Sequence, residues 1–76
     1  MPIEITIPQL EMAMTAGTLA EWLAEDGAAV KEGDLLYVLE TGKAAEEIAA
    51  AATGTLRRTA AAGVEYPVGT VIGEIG

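Results

Sequence analysis

The chain has 76 residues, with 12 acidic side chains against four basic ones, a formal net charge of −8, and neither cysteine nor histidine. A chain this short makes one small domain that buries only about 60% of its unfolded surface. Disulfides and thiolate metal sites are excluded by the missing cysteines, the usual general base by the missing histidine, and nucleic acid as a partner by the acid excess.

No apolar run approaches the roughly 18 residues of a membrane helix, and Met1-Pro2-Ile3-Glu4 is not a basic region followed by a greasy core. The expectation is a soluble, non-catalytic chain of the cytoplasm, with the mitochondrial matrix as the alternative and no membrane partner. Hydrophobic residues make up 51% of the chain, but alanine supplies many of them and there is no phenylalanine. The large core candidates are therefore Trp22, Leu23, Ile48, Leu56 and the Ile, Leu and Val of the strand-like runs.

In chain order, Ile3, Ile5 and Ile7 alternate with Glu4 and Thr6 as a half-buried strand does, and Pro8 ends it. Residues 9–16 show no period and read as a loop leading to Gly17. Leu19, Trp22 and Leu23 have helix-like spacing. Glycines at 27 and 33 mark tight turns that want positive φ, and residues 35–39 read as a buried strand. Residues 44–52, rich in Ala and Glu, read as a short helix on intrinsic propensity. As a strand, that segment would place Glu46 on the face of Ile48, so Glu46 would need an open end or a bulge to turn it outward. Gly63 and Pro67-Val68-Gly69-Thr70 are further turns, and Val71, Ile72 and Ile75 form a last strand.

These features repeat. Gly17-Thr18-Leu19 recurs as Gly54-Thr55-Leu56, and after a one-residue slip Gly27, Val30 and Gly33 recur as Gly63, Tyr66 and Gly69. The repeat argues for strand at Leu19–Leu23, because the partner segment 56–62 has adjacent arginines and no apolar stripe. Two copies are fewer than an open solenoid needs, so the halves, about 3–40 and 44–76, are expected to close on each other as one domain over 1–76. The segment that joins them, Glu40-Thr41-Gly42-Lys43-Ala44, holds one of the four basic residues.

The run from Pro8 through Leu10-Glu11-Met12-Ala13-Met14 to Thr18, then Trp22-Leu23, Val30-Lys31-Glu32-Gly33-Asp34, Glu40-Thr41-Gly42-Lys43-Ala44 and Pro67-Val68-Gly69-Thr70, resembles a lipoyl domain of the biotinyl/lipoyl carrier family over nearly the whole chain. The resemblance implies an all-β fold, a flattened barrel of two four-stranded antiparallel sheets related by a pseudo-twofold axis. It implies lipoate amide-linked to Lys43 at a hairpin tip, with Glu40, Thr41, Gly42, Ala44, Leu10, Glu11 and Met12 as turn and recognition context. The implied partners are a lipoate ligase or lipoyl transferase, a decarboxylating dehydrogenase, an acyltransferase core and dihydrolipoamide dehydrogenase, as in a 2-oxoacid or acetoin dehydrogenase complex. The isolated domain is expected to be monomeric.

The chain departs from that pattern at Gly42, where lipoyl domains commonly have an acidic residue. Glycine there permits a type II′ turn and suggests a tip more mobile than usual. Biotin on Lys43 is the alternative cofactor, but biotin carriers place methionines on both sides of the lysine, and here Gly42 and Ala44 stand there. An unmodified interaction module is the third reading. Met12 and Met14 read equally well as recognition residues and as loop residues folded onto the barrel end, Trp22 as a core or sheet-covering residue, and Arg57-Arg58 as a solvated strand feature.

Overall fold

The computed structural model describes residues 2–10, 12–42 and 44–76. They form eight strands: β1 Ile3–Thr6, β2 Ala16–Trp22, β3 Ala29–Val30, β4 Leu35–Glu40, β5 Ala45–Ala49, β6 Gly54–Arg58, β7 Val64–Pro67 and β8 Val71–Ile75. Two four-stranded antiparallel sheets result, one in the order β1-β8-β6-β3 and the other β5-β4-β2-β7. Exchanging β1 with β5, β2 with β6, β3 with β7 and β4 with β8 turns the first order into the second, so a pseudo-twofold axis swaps the sheets.

The symmetry extends to single hydrogen bonds. Leu23 and Ala24 N–H both donate to the Leu36 carbonyl, as Thr59 and Ala60 donate to that of Ile72. Gly27 donates to the Leu56 carbonyl and Gly63 to that of Leu19, while Gly33 donates to Ala50 and Gly69 to Ile7. Each of these four glycines has positive φ, between 82° and 95°, where a Cβ would clash with the backbone.

The one-residue slip in the repeat also has a physical location. The β2–β4 register shifts between Leu19 and Glu21, so Ala20 is an extra residue, whereas β6 runs against β8 without interruption from Leu56 to Arg58. A bulge absorbs one residue by bending its strand locally. Beyond it, Trp22 becomes the mate of Arg58, and the two meet across the sheets with the guanidinium carbon 5.6 Å from the indole centroid. Trp22 Nε1–H donates to the Ala60 carbonyl at 3.0 Å and Arg58 Nη1–H to the Ala24 carbonyl at 3.3 Å, a reciprocal clasp.

The core between the sheets holds Ile7, Leu19, Leu36, Tyr37, Leu39, Leu56 and Ile72, all fully buried, with Met14, Val30, Ala50 and Ile75 beside them. Trp22 and Ile48 pack against it partly buried. Leu23, expected in the core, is 40% exposed, because it lies past the end of β2, where alternation no longer aims it inward. Ile3, Leu35 and Val71 are also exposed. Leu35 and Val71 open their strands at symmetric positions, and the register irregularities that follow them hand the inward place to Leu36 and Ile72.

The helix expected over 44–52 is absent and Ala45–Ala49 is β5. Pairing with β4 through five register positions, from Glu40↔Ala45 to Leu35↔Ala49, outweighs an intrinsic preference worth only tenths of a kcal/mol per residue. Glu46 shares the face of Ile48 and stays exposed. It sits one residue from the hairpin end of the strand, the open-end solution.

Candidate functional site

The β4–β5 hairpin is closed by Thr41. Its N–H donates to the Ala44 carbonyl at 2.8 Å, its hydroxyl donates to the same carbonyl at 3.2 Å, and the Ala44 N–H lies 3.3 Å from Thr41 Oγ1 as donor. Thr41 thus ties both strand ends through backbone and side chain, and in sequence only two residues, Gly42 and Lys43, separate it from Ala44. Lys43 and Glu11 lie outside the described residues.

Gly42 and Ala44 are exposed, and a Cβ built on Gly42 meets nothing within 4 Å. Among the described residues the positive-φ glycines are Gly27, Gly33, Gly63 and Gly69, and Gly42 is not one of them. A type II′ turn, which glycine would permit, requires positive φ at its first central position, and Gly42 does not adopt it. Neither backbone conformation nor space demands glycine here.

Register places two other segments at the same end of the barrel. Thr18 opposes Glu40 on β4 and Ala16 opposes Pro67 on β7, so the loop that enters β2 and the turn that leaves β7 flank the hairpin. The loop is braced internally. Gln9 Nε2–H donates to the carbonyls of Met12 and Met14 at 3.1 and 3.3 Å, and the Leu10 N–H points at Met14 Sδ at 3.4 Å. At its base, the Val68 N–H donates to the Thr15 carbonyl at 3.0 Å.

The two methionines, not distinguishable in sequence, separate here: Met14 is 6% exposed and Met12 97%. A Cβ on Gly17 would come within 2.8 Å of both Met14 Cε and Leu39 Cδ1, so Gly17 is what admits the Met14 thioether to the core beneath the hairpin end. Leu10 is 40% exposed beside Met12. The loop therefore presents apolar side chains on a frame that its own hydrogen bonds and one buried methionine hold still.

The electrostatics are one-sided. Alternation and register put Glu21, Glu40, Glu47 and Glu65 on the outer face of the β5-β4-β2-β7 sheet, which carries the hairpin. Among the described residues the basic side chains belong to the other sheet: Lys31 follows β3, and Arg57 and Arg58 lie on β6. Arg57 pairs with Glu74 at 3.3 Å. Arg58, expected to be merely solvated, is exposed yet engaged in the clasp with Trp22. No group of three or more acidic side chains among the described residues is arranged to hold a metal.

Sequence reasoning missed Tyr37. Its side chain is fully buried, its ring lies 5.6 Å from that of Trp22, and its hydroxyl has no hydrogen-bond partner. Burial pushes its pKa up to about 12. The only signal for it was a tyrosine inside an apolar run.

The described residues thus form two symmetry-related four-stranded sheets, one of which has an acidic outer face and bears a tight hairpin braced by Thr41. A family model described as "Biotin-requiring enzyme" (biotin/lipoyl) matches residues 3–75, and the chain belongs to this family. It is 43% identical over 70 residues, 92% of its length, to the dihydrolipoyllysine-residue acetyltransferase component of pyruvate dehydrogenase complex of Rhizobium meliloti (strain 1021). Over 66 residues, 86% of its length, it is 42% identical to the pyruvate dehydrogenase E1 component subunit beta of the same organism. A third relative is the dihydrolipoyllysine-residue succinyltransferase component of 2-oxoglutarate dehydrogenase complex of Bacillus subtilis (strain 168), 37% identical over 73 residues, 95% of this chain. The matched regions make up only 14%, 14% and 18% of these three relatives.

Proposed function

We propose that the chain is a lipoyl carrier domain in which Lys43 holds lipoate through an amide of its side-chain nitrogen. One observation supports this above the others: the family match spans residues 3–75, and the chain's two-residue turn, closed by Thr41 hydrogen bonds at 2.8 and 3.2 Å, contains a lysine as its second residue. The open space around Gly42 and the exposure of Ala44 fit a long appendage that must leave the surface unhindered. Bound lipoate would supply a dithiolane able to accept an acyl group and to be reduced, chemistry for which this chain needs no acid or base of its own.

The protein's part is presentation. Thr41 holds the two strands together at the turn, and Leu10 and Met12 offer an apolar patch on a preorganised loop, which lowers the ordering cost of partner contact. The carboxylates on the hairpin-bearing sheet steer encounters toward basic partner surfaces. Tethering raises the local concentration of the reactive group at each partner site, so tight docking is unnecessary. Amide formation removes the Lys43 charge and takes the formal charge from −8 one step further negative.

The partners we infer are a lipoate ligase or lipoyl transferase, a decarboxylating dehydrogenase, an acyltransferase core and dihydrolipoamide dehydrogenase, within a 2-oxoacid dehydrogenase complex of the cytoplasm. The relatives named as acyltransferase components favour lipoate over biotin. The test is intact mass after incubation with lipoate, ATP and a lipoate ligase, beside a biotin ligase reaction and a Lys43→Arg control. One lipoyl increment, absent from the control, is expected. A biotinyl increment would replace this reading with carboxyl transfer.

A further inference from the structure

Met12 and Met14 stand two residues apart in one loop and differ in everything that governs the chemistry of a thioether. Met14 is 6% exposed. Its Cε lies in the core beneath Gly17, and its sulfur takes the Leu10 N–H at 3.4 Å. Met12 is 97% exposed, and among the described residues only its backbone carbonyl is engaged, by the Gln9 amide at 3.1 Å. The Met12 thioether, sulfur included, therefore stands in water.

The frame of the loop holds the two side chains in these states. Gln9 binds the carbonyls of both methionines, and the Val68 N–H fixes the base of the loop through Thr15, so the burial of Met14 goes with the display of Met12. Oxidation of a methionine follows access to its sulfur and turns a flexible apolar side chain into a polar one. The surroundings also choose among oxidants. A chain of net charge −8, with carboxylates on the outer face of the hairpin-bearing sheet, repels an anionic oxidant but not neutral hydrogen peroxide.

We propose that Met12 is a peroxide-sensitive modification site whose oxidation weakens recognition of this end of the barrel by a partner enzyme. The sulfur attacks one oxygen of hydrogen peroxide, an S–O bond forms as the O–O bond breaks, and the proton of the transferred oxygen passes to the departing one, which leaves as water. Sulfur is oxidised by two electrons and the peroxide is reduced by two, with no acid or base of the chain required. The product sets a sulfoxide oxygen beside Leu10, where partner contact would bury apolar surface, and stripping water from that oxygen is costly. Met12 packs against nothing that holds the fold, so the change is confined to the surface, and methionine sulfoxide reductases reverse it. The effect on recognition rests on the carrier reading above, whereas the site of oxidation does not.

The experiment treats the unmodified chain with hydrogen peroxide, locates the oxygen by peptide mass mapping, and then offers the oxidised chain to a lipoate ligase with lipoate and ATP. Oxygen is expected at Met12 at least about tenfold faster than at Met14, with the two rates converging in urea and the urea midpoint unchanged by oxidation at Met12. The ligase KM should rise about tenfold at unchanged kcat and return after treatment with methionine sulfoxide reductases for both epimers. In Met12→Leu the KM should not respond to peroxide, a comparison that also accounts for oxygen taken up at Met1. Equal rates at the two methionines of the folded chain, or a KM that oxidation of Met12 does not move, overturns the proposal. Failure of the ligase to modify even the unoxidised chain would overturn the carrier reading and the effect on recognition with it, and the peptide map would still decide the site of oxidation.

Discussion

Gly42 has open space around it and lacks positive φ, whereas Gly33 holds φ at 95° to let its N–H reach the Ala50 carbonyl. The same substitution should therefore act in opposite directions at the two sites. Gly42→Ala restricts mainly the unfolded chain and should stabilise by about 0.4–1 kcal/mol, while Gly33→Ala must strain the fold and should cost more than about 1 kcal/mol. In a domain of this size each kcal/mol moves the thermal midpoint by about 4–8 °C, so calorimetry should show a small rise for the first and a clear fall for the second. Tyr37 gives a second prediction at this scale. Its folded pKa of about 12 exceeds the ordinary value near 10, so between these values the native state binds more protons than the unfolded one. The stabilisation is complete below pH 10 and is lost as pH rises to 12, by roughly 2–3 kcal/mol in all. Urea midpoints taken across that window should fall less steeply in Tyr37→Phe than in the parent chain.

At the scale of the element, the loop before β2 divides its two methionines between structure and display. Met14 fills the core under Gly17, and Met12 stands in solvent on a frame held by Gln9. Met14→Ala should cost about 2–5 kcal/mol, in line with other truncations of buried aliphatic side chains. Met12→Ala should leave the urea midpoint unchanged and weaken only productive encounters with a partner, seen as slower acyl loading of the lipoylated domain. The strand β5 shows the other side of this scale. Its Ala and Glu residues prefer helix one at a time, yet β4 offers a complete ladder, and the Thr41 clamp fixes the register from its first pair, Glu40↔Ala45.

At the scale of the molecule, symmetry separates two functions in space. Strand β1 starts and β8 finishes at one end, where Gly76 approaches Pro2 to the point that a Cβ on Gly76 would sit 3.4 Å from Pro2 Cα. The hairpin occupies the symmetric place at the opposite end of a body about 32 Å long. Chain attached to either terminus would therefore leave far from the turn, and the acidic outer face beside the hairpin stays clear for encounter. Asymmetry inside the repeat matters as much. Trp22 with Tyr37 in one half faces Arg58 with Gly73 in the other, and a Cβ on Gly73 would meet the Arg57 carbonyl oxygen at 2.6 Å but Trp22 only at 3.5 Å. It is thus the close approach of the β6 backbone, and not the indole, that demands glycine at 73.

Much of this was legible in the residues. The turn glycines, the alternation of Ile3 to Ile7, the apolar runs before Glu40 and Ile75, and the doubled Gly-Thr-Leu follow from local rules of backbone freedom and period, which need no knowledge of neighbours. The Lys43 segment could likewise be found as the joint between two repeats. Other features depended on what lies across space. A preference of tenths of a kcal/mol yields to a ladder of hydrogen bonds, so β5 became strand. The slip in the repeat became a bulge at Ala20 only because β2 had a partner with which to fall out of register. Leu23 against Tyr37, and Met12 against Met14, were divided between solvent and core by packing, because composition sets how much apolar surface a chain owns and only the closed pair of sheets determines which of it water can still reach.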